Sequence, residues 1–333
     1  MNKKLLFFVA LFVVVLCCAA FCLLPQKQPE QNDSRPRVTA LIFPYYDIAR
    51  AVGGDKIRLT MLLKPGAEVH SFDPSPQELI NLRKSDLFIY TGGENDSWVK
   101  KLLPEKAPDG PRQLRLMDKV PLLHEETIEG MTAPEHHHEE EQEGAHEEEQ
   151  EAHGGTEPEN DEHIWTSPAN AALLTEAVCD ALSAIDPTNA SYYKNNAAAH
   201  IAKLRELNRE LRETASQGRR RTIVVGDRFP FRYLAKECGL SYFAAFPGCA
   251  AESEPDAATV AFLIKKVRAE KIPVVFYLEL SNGKTAATVC AETGAKKLLL
   301  HSCHNITHED FKAGVTYIEL MRANLKNLKE ALN

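Results

Sequence analysis

Two histidines stand in settings that could build a coordination site: His70 within GAEVHSFDPSP and His163 within DEHIWTSP. Imidazole is the commonest protein ligand for zinc and its neighbours, so the chemistry to weigh first is metal coordination. Between them runs a tract of little but Glu, His and Gly, carrying His136, His137, His138, His146 and His153. The isolated histidines suit a built site. The tract suits a loose one, because mixed imidazole and carboxylate groups bind zinc but ordering such a segment costs conformational entropy.

Further donors occupy comparable places. Asp227 comes just after the apolar run 222–225, and His301 just after 298–300. A lone histidine is ordinarily a turn or capping residue, but four donors at the ends of strand-like runs are harder to set aside. Glu279, closing the run 274–278, could add an oxygen ligand, orient a histidine or be a solvated acid, and the orienting role suits it best. Glu68 carries the same ambiguity.

The elements that would position these groups alternate regularly. Residues 37–44, 57–63, 87–90 and 113–117 read as strands, with helices over 45–52, 75–85 and 98–103 between them. The second half repeats the pattern, with strands 222–225, 242–246, 274–278 and 297–300 and helices 231–238, 257–270, 284–293 and 311–332. Strands written as apolar runs, alternating with helices, indicate a parallel sheet covered on both faces. The fold class is therefore α/β: two lobes with four-stranded parallel sheets. Residues 167–217 supply linking helices, the second roughly 40 Å long at 1.5 Å per residue, which acts as a rigid strut. Loops leaving the carboxyl ends of such strands line the crevice where ligands bind, a setting that His70 and His163 both fit.

The termini and the charge distribution add to this. Residues 1–24 combine Lys3 and Lys4 with an apolar run and Cys17, Cys18 and Cys22, which reads as an export signal of the lipoprotein type, with Cys18 as the lipid anchor and Cys22 the weaker alternative. An uncleaved membrane anchor is the competing reading. Residues 25–36 read as a tether, 37–166 as an N-terminal lobe containing a disordered loop over 134–160, and 218–333 as a C-terminal lobe. Five cysteines remain after the tether, an odd number that leaves at least one thiol free in an oxidising setting and fixes no pairing. Of 47 acidic residues, 16 lie between Glu125 and Glu162, so the rest carries 31 acids against 39 bases. That excess of eight bases is spread out rather than interleaved with aromatics, which gives no case for nucleic-acid binding.

The segment GAEVHSFDPSPQELINLRKSDLFIYTGG, together with DEHIWTSPANA, resembles the metal-binding cluster of bacterial ABC-transporter solute-binding proteins, the zinc and manganese receptors. The resemblance extends over nearly the whole chain after the tether, and a His-rich acidic insertion is typical of the zinc-specific members. It implies two lobes joined by a long rigid helix and one metal ion buried between them, held by His70, His163, Asp227 and His301. In the second lobe the match is less clean. Alignment through Tyr233 puts the family's third ligand on Arg228, which cannot ligate, so Asp227 beside it is the nearest donor. His301 falls on the fourth position, with Cys303 and His304 as nearby substitutes.

The function expected is capture of Zn²⁺ by a lipid-anchored monomer outside the cytoplasm and its delivery to an ABC permease powered by a separate ATPase; the chain has no phosphate-binding loop of its own. Three imidazoles and one carboxylate suit tetrahedral zinc, whereas manganese favours more carboxylates. A manganese receptor or a metal-binding adhesin of the same fold is the nearest alternative. A zinc hydrolase with Glu279 as base is the alternative from another class, and it lacks an HExxH motif.

Overall fold

Two parallel sheets of identical strand order carry the molecule. A computed structural model describes residues 33–68, 72–104, 110–132, 159–250 and 254–333. The predicted signal segment with Cys18, most of the tether, His70 and the five tract histidines lie outside the described residues. The chain divides into Met1–Arg35 and Pro36–Asn333. In the first unit the Arg35 guanidinium donates to both carboxylate oxygens of Asp33, at 2.9 and 2.7 Å.

In the second unit the elements alternate as β1 (Arg37–Ala40), α1 (Phe43–Gly53), β2 (Arg58–Met61), α2 (Pro76–Arg83), β3 (Leu87–Tyr90), α3 (Ser97–Leu102) and β4 (Arg112–Arg115). They form a parallel sheet ordered β2-β1-β3-β4. β3 is buried along its whole length, as its uninterrupted Leu-Phe-Ile-Tyr requires of a strand covered on both faces. Two helices come next, α4 (Pro168–Ile185) and α5 (Ala190–Gln217), the latter 28 residues and so about 42 Å long. Then come β5 (Thr222–Phe229), α6 (Arg232–Cys238), β6 (Ser241–Pro247), α7 (Ala257–Glu270), β7 (Val274–Tyr277), α8 (Lys284–Thr293), β8 (Lys296–Leu299), α9 (His308–Ala313) and α10 (Tyr317–Leu332). The second sheet is ordered β6-β5-β7-β8, again all parallel.

Local chemistry sets the boundaries. α2 opens with a reciprocal cap: Ser75 Oγ accepts from the Glu78 N–H, and Glu78 accepts from the Ser75 N–H at 2.9 Å. α10 opens the same way with Thr316 and Glu319. The single terminal helix expected over 311–332 is two helices, because Gly314 takes a left-handed conformation (φ 76°) that ends α9 and Thr316 starts afresh. The first strand stops at Ala40 rather than running to residue 44, since Pro44 belongs to the first turn of α1. The largest departure is β5, which passes Val225 and reaches Phe229 after a register irregularity between Val225 and Arg228.

One apolar cluster holds residues of both sheets and both linking helices, among them Ile89, Trp165, Leu207, Ile223 and Leu300. Trp165 is fully buried; its indole N–H donates to the Ser302 carbonyl at 2.8 Å, and Tyr317 Oη donates to the Trp165 carbonyl at 2.7 Å. Asp47 of α1 takes the Tyr317 N–H at 2.7 Å and pairs with Arg50, which also reaches the Val315 carbonyl. A shared core pinned by buried hydrogen bonds ties the lobes together. Among the described residues no helix is long and apolar enough to cross a membrane.

Candidate metal centre

A small cavity of about 60 Å³ lies between the lobes. His163, His304, Glu279, Arg228, Glu68 and Gly248 line it. The space is right for one ion and a water or two, not for an organic substrate. Its walls come from the ends of β5, β6, β7 and β8, from the loop after β2, and from His163, just before the turn Ile164–Thr166 that precedes α4.

His163 is almost wholly buried. Its Nδ1 lies 3.1 Å from Asp161 Oδ1, and the same oxygen accepts the His163 N–H at 2.8 Å. A carboxylate only accepts, so the ring donates from Nδ1, and the nitrogen left for a metal once the ring is neutral is Nε2, the arrangement of a metal-binding histidine. Burial works to lower the imidazole pKa, but the Asp161 carboxylate and contact with the Cys249 thiol carry it well above its ordinary value. Burial in turn pushes the Cys249 thiol up to about 11. Behind Asp161 stands Glu125, raised to about 7 by burial and the neighbouring Asp161 charge, with the Gly248 N–H donating to it at 2.5 Å. A Cβ at Gly248 would sit tightly, 3.0 Å from the Phe229 carbonyl and 3.2 Å from the His163 ring, so a larger residue there has to displace one of them by a few tenths of an ångström.

His304 faces His163. The ring centroids are 5.3 Å apart with planes at 87°. Two imidazoles on one tetrahedral zinc, with Zn–N of roughly 2.0–2.1 Å, place their centroids roughly 5 Å apart, so the pair is already at ligand spacing. Trp165 packs on His304 at 4.7 Å. Glu279 is held by Ser302, whose N–H donates to it at 2.7 Å and whose hydroxyl donates to its other oxygen. Leu280 and Cys303, each next to a lining residue, hold left-handed φ values of 60° and 61°, strained for side chains of this kind.

The donors expected from the sequence are distributed unevenly. His163, Glu279 and Glu68 line the cavity, whereas Asp227 and His301 are not among the lining residues. Because β5 continues past Val225, Asp227 sits inside a strand rather than in a loop, and its carboxylate accepts the Leu278 N–H at 2.9 Å and the Ser281 hydroxyl at 2.7 Å. The Nδ1 atom of His301 accepts the Cys303 N–H at 2.9 Å, with Glu279 Oε1 at 3.6 Å. His304, noted from the sequence only as a substitute, takes the lining position. The loop leading to His70 is anchored beside it: Gly66 N–H donates to the Ile306 carbonyl at 2.8 Å, and the Asn305 amide donates to the carbonyls of Lys64 and Ala67 at 2.9 and 2.7 Å. Among the described residues no three His, Cys, Asp or Glu side chains are grouped closely enough to hold an ion by themselves.

Sequence reasoning missed Asp161, Glu125 and Gly248. The two-residue spacing of Asp161 and His163 was a usable signal; Glu125 is separated from them by the whole tract and had none. All five described cysteines are free thiols.

The family model for the periplasmic component A of zinc-uptake complexes matches residues 38–331. The chain belongs to that family. Among curated relatives of this chain, the zinc-binding lipoprotein AdcA of Streptococcus pneumoniae is 31% identical over 313 residues, 94% of this chain and 59% of the relative. The chain thus spans about three-fifths of the first curated relatives it matches. The high-affinity zinc uptake system protein ZnuA of Bacillus subtilis is 27% identical over 326 residues, covering 97% of this chain and 95% of that protein. The fold agrees: the Zn(II)-bound ZnuA-like domain of S. pneumoniae AdcA superposes with a TM-score of 0.71 at 28% identity, over 90% of this chain and 99% of the other.

Proposed function

We propose that this zinc-uptake component captures Zn²⁺ in the interlobe cavity and passes it to a membrane permease of the ABC type, driven by a separate ATPase. The observation that carries the reading is the His163–His304 pair at ligand spacing in a cavity sized for one ion. Zinc is held by His163 and His304, by His70 at the end of the anchored loop, and by Glu279 as the oxygen donor. Three imidazoles favour zinc over manganese. Asp161 keeps the His163 lone pair on Nε2, and Glu125 and Gly248 hold the wall against which that ring packs. The role is binding rather than turnover, because four protein ligands complete a tetrahedral zinc and leave no open position for an activated water.

The protein is a lipid-anchored monomer outside the cytoplasm, attached through Cys18. The histidines 136, 137, 138, 146 and 153 bind zinc weakly and raise its local concentration. Calorimetric titration with Zn²⁺ and Mn²⁺, with and without residues 134–159, tests the reading. One tight zinc site should survive the deletion and be lost in His70→Ala. A tight site that disappears with the deletion alone overturns it.

A further inference from the structure

Arg228 places a fixed positive charge in the wall of a cavity meant for a cation. It comes from the irregular part of β5, its side chain is only 18% exposed, and it lines the cavity with His163, Glu279 and His304. Across the cavity its Nη1 lies 3.5 Å from Oε1 of Glu68, two residues before His70 in the loop of the other lobe. A guanidinium keeps its charge at every working pH and has no lone pair to offer, so Arg228 neither joins the coordination sphere nor leaves it by titrating.

We propose that Arg228 is the residue that limits affinity and sets selectivity in this site: a resident cation, offset by Glu68, that occupies the place a further protein ligand would take. The inference rests on the reading of the cavity as the zinc site. At a separation of about 5 Å and an effective dielectric of roughly 20, a unit positive charge weakens binding of a divalent ion by several powers of ten unless a neighbouring anion offsets it. Glu68 supplies that anion from the opposite lobe, so the net penalty is partial. The same charge handicaps ions that need additional carboxylate donors, as Mn²⁺ does, more than an ion satisfied by three imidazoles and one oxygen. Arg228 therefore keeps zinc binding reversible enough for handover and holds the ligand number at the value zinc prefers.

The alternative is that Arg228 serves only to hold the Glu68 loop in place, and the two roles predict opposite signs. Zn²⁺ and Mn²⁺ affinities should be measured by chelator competition on the full chain and on Arg228→Met, Arg228→Gln, Arg228→His, Glu68→Gln and the Arg228→Met/Glu68→Gln double variant, with a melting curve of each metal-free protein to confirm folding. Removing the charge in Arg228→Met or Arg228→Gln should tighten zinc about tenfold and narrow the zinc-over-manganese preference, and Arg228→His should tighten zinc further. Glu68→Gln alone should weaken zinc by about tenfold, and the double variant, having lost both charges, should bind zinc about as tightly as the parent. Folded Arg228→Met and Arg228→Gln proteins that bind zinc no more tightly than the parent overturn the inference while leaving the zinc site intact. Absence of zinc binding in the parent and every variant overturns the zinc reading, and this inference with it.

Discussion

The two lobes share one sheet order yet contribute very unequally to the cavity. In the C-terminal lobe all four strand ends reach it: Arg228 from β5, Gly248 after β6, Glu279 after β7 and His304 after β8. Among the described residues, the strand ends of the N-terminal lobe reach it only through the loop after β2, at Ala67 and Glu68, and His163 joins them from just before α4. The cause is the packing of the residues just beyond each strand. After β1 the chain turns directly into α1, burying Phe43 and Tyr45 in the core. After β3, the counterpart of β7, the acidic residue Asp96 is buried and accepts the Gly92 N–H at 2.8 Å, so its carboxylate serves the fold. Its counterpart Glu279 is turned to the cavity. Topology offers equivalent sites in both lobes, and local side-chain packing decides which of them become chemical.

The contrast breaks most sharply at the ligand histidines. His163→Ala and His304→Ala should each cost on the order of a thousandfold in zinc affinity, about 4 kcal/mol, whereas His301→Ala should cost well under tenfold. Comparable losses for His301 and His304 in a chelator competition would place the donor on the wrong residue of the β8 loop.

Next in size is the buried acid of the N-terminal lobe. Burial raises Asp96 to about 7, so the folded chain binds its proton more tightly than the unfolded chain does. The neutral form is favoured, and stability should fall as pH rises from about 4 through 7, by up to about 4 kcal/mol. Asp96→Asn should flatten that part of the profile without altering zinc affinity. An unchanged pH–stability profile in chemical denaturation would show that Asp96 is ionised in the fold.

The orienting carboxylate should matter less than the ligands it serves. Asp161→Ala is expected to weaken zinc by about 10–100-fold by releasing the His163 tautomer. The smallest effect on binding should come from Asp227→Ala, which leaves zinc affinity within about threefold while lowering stability by about 1–3 kcal/mol, because the Leu278 N–H loses its acceptor. A large affinity loss with no stability change would restore Asp227 as a donor.

These positions also show how far residue patterns carry. Apolar runs and glycine stops placed all eight strands, and the cap formed by Ser75 and Glu78 was legible in four letters. The register irregularity of β5 was not, since nothing in Val225-Gly226-Asp227-Arg228 distinguishes a strand that ends from one that bulges and continues. That one feature moved Asp227 out of the cavity and Arg228 into it. His301 and His304 are three residues apart, and the choice between them depended on the left-handed turn at Cys303. No propensity argument anticipates such a conformation at a cysteine.

The most direct test of the central claim is zinc K-edge X-ray absorption on the 1:1 complex of the parent and of His304→Ala. The parent should show three imidazole nitrogens and carboxylate oxygen at roughly 2.0–2.2 Å, with one imidazole lost in the variant. A first shell unchanged by His304→Ala would contradict the assignment of His304 as a zinc ligand.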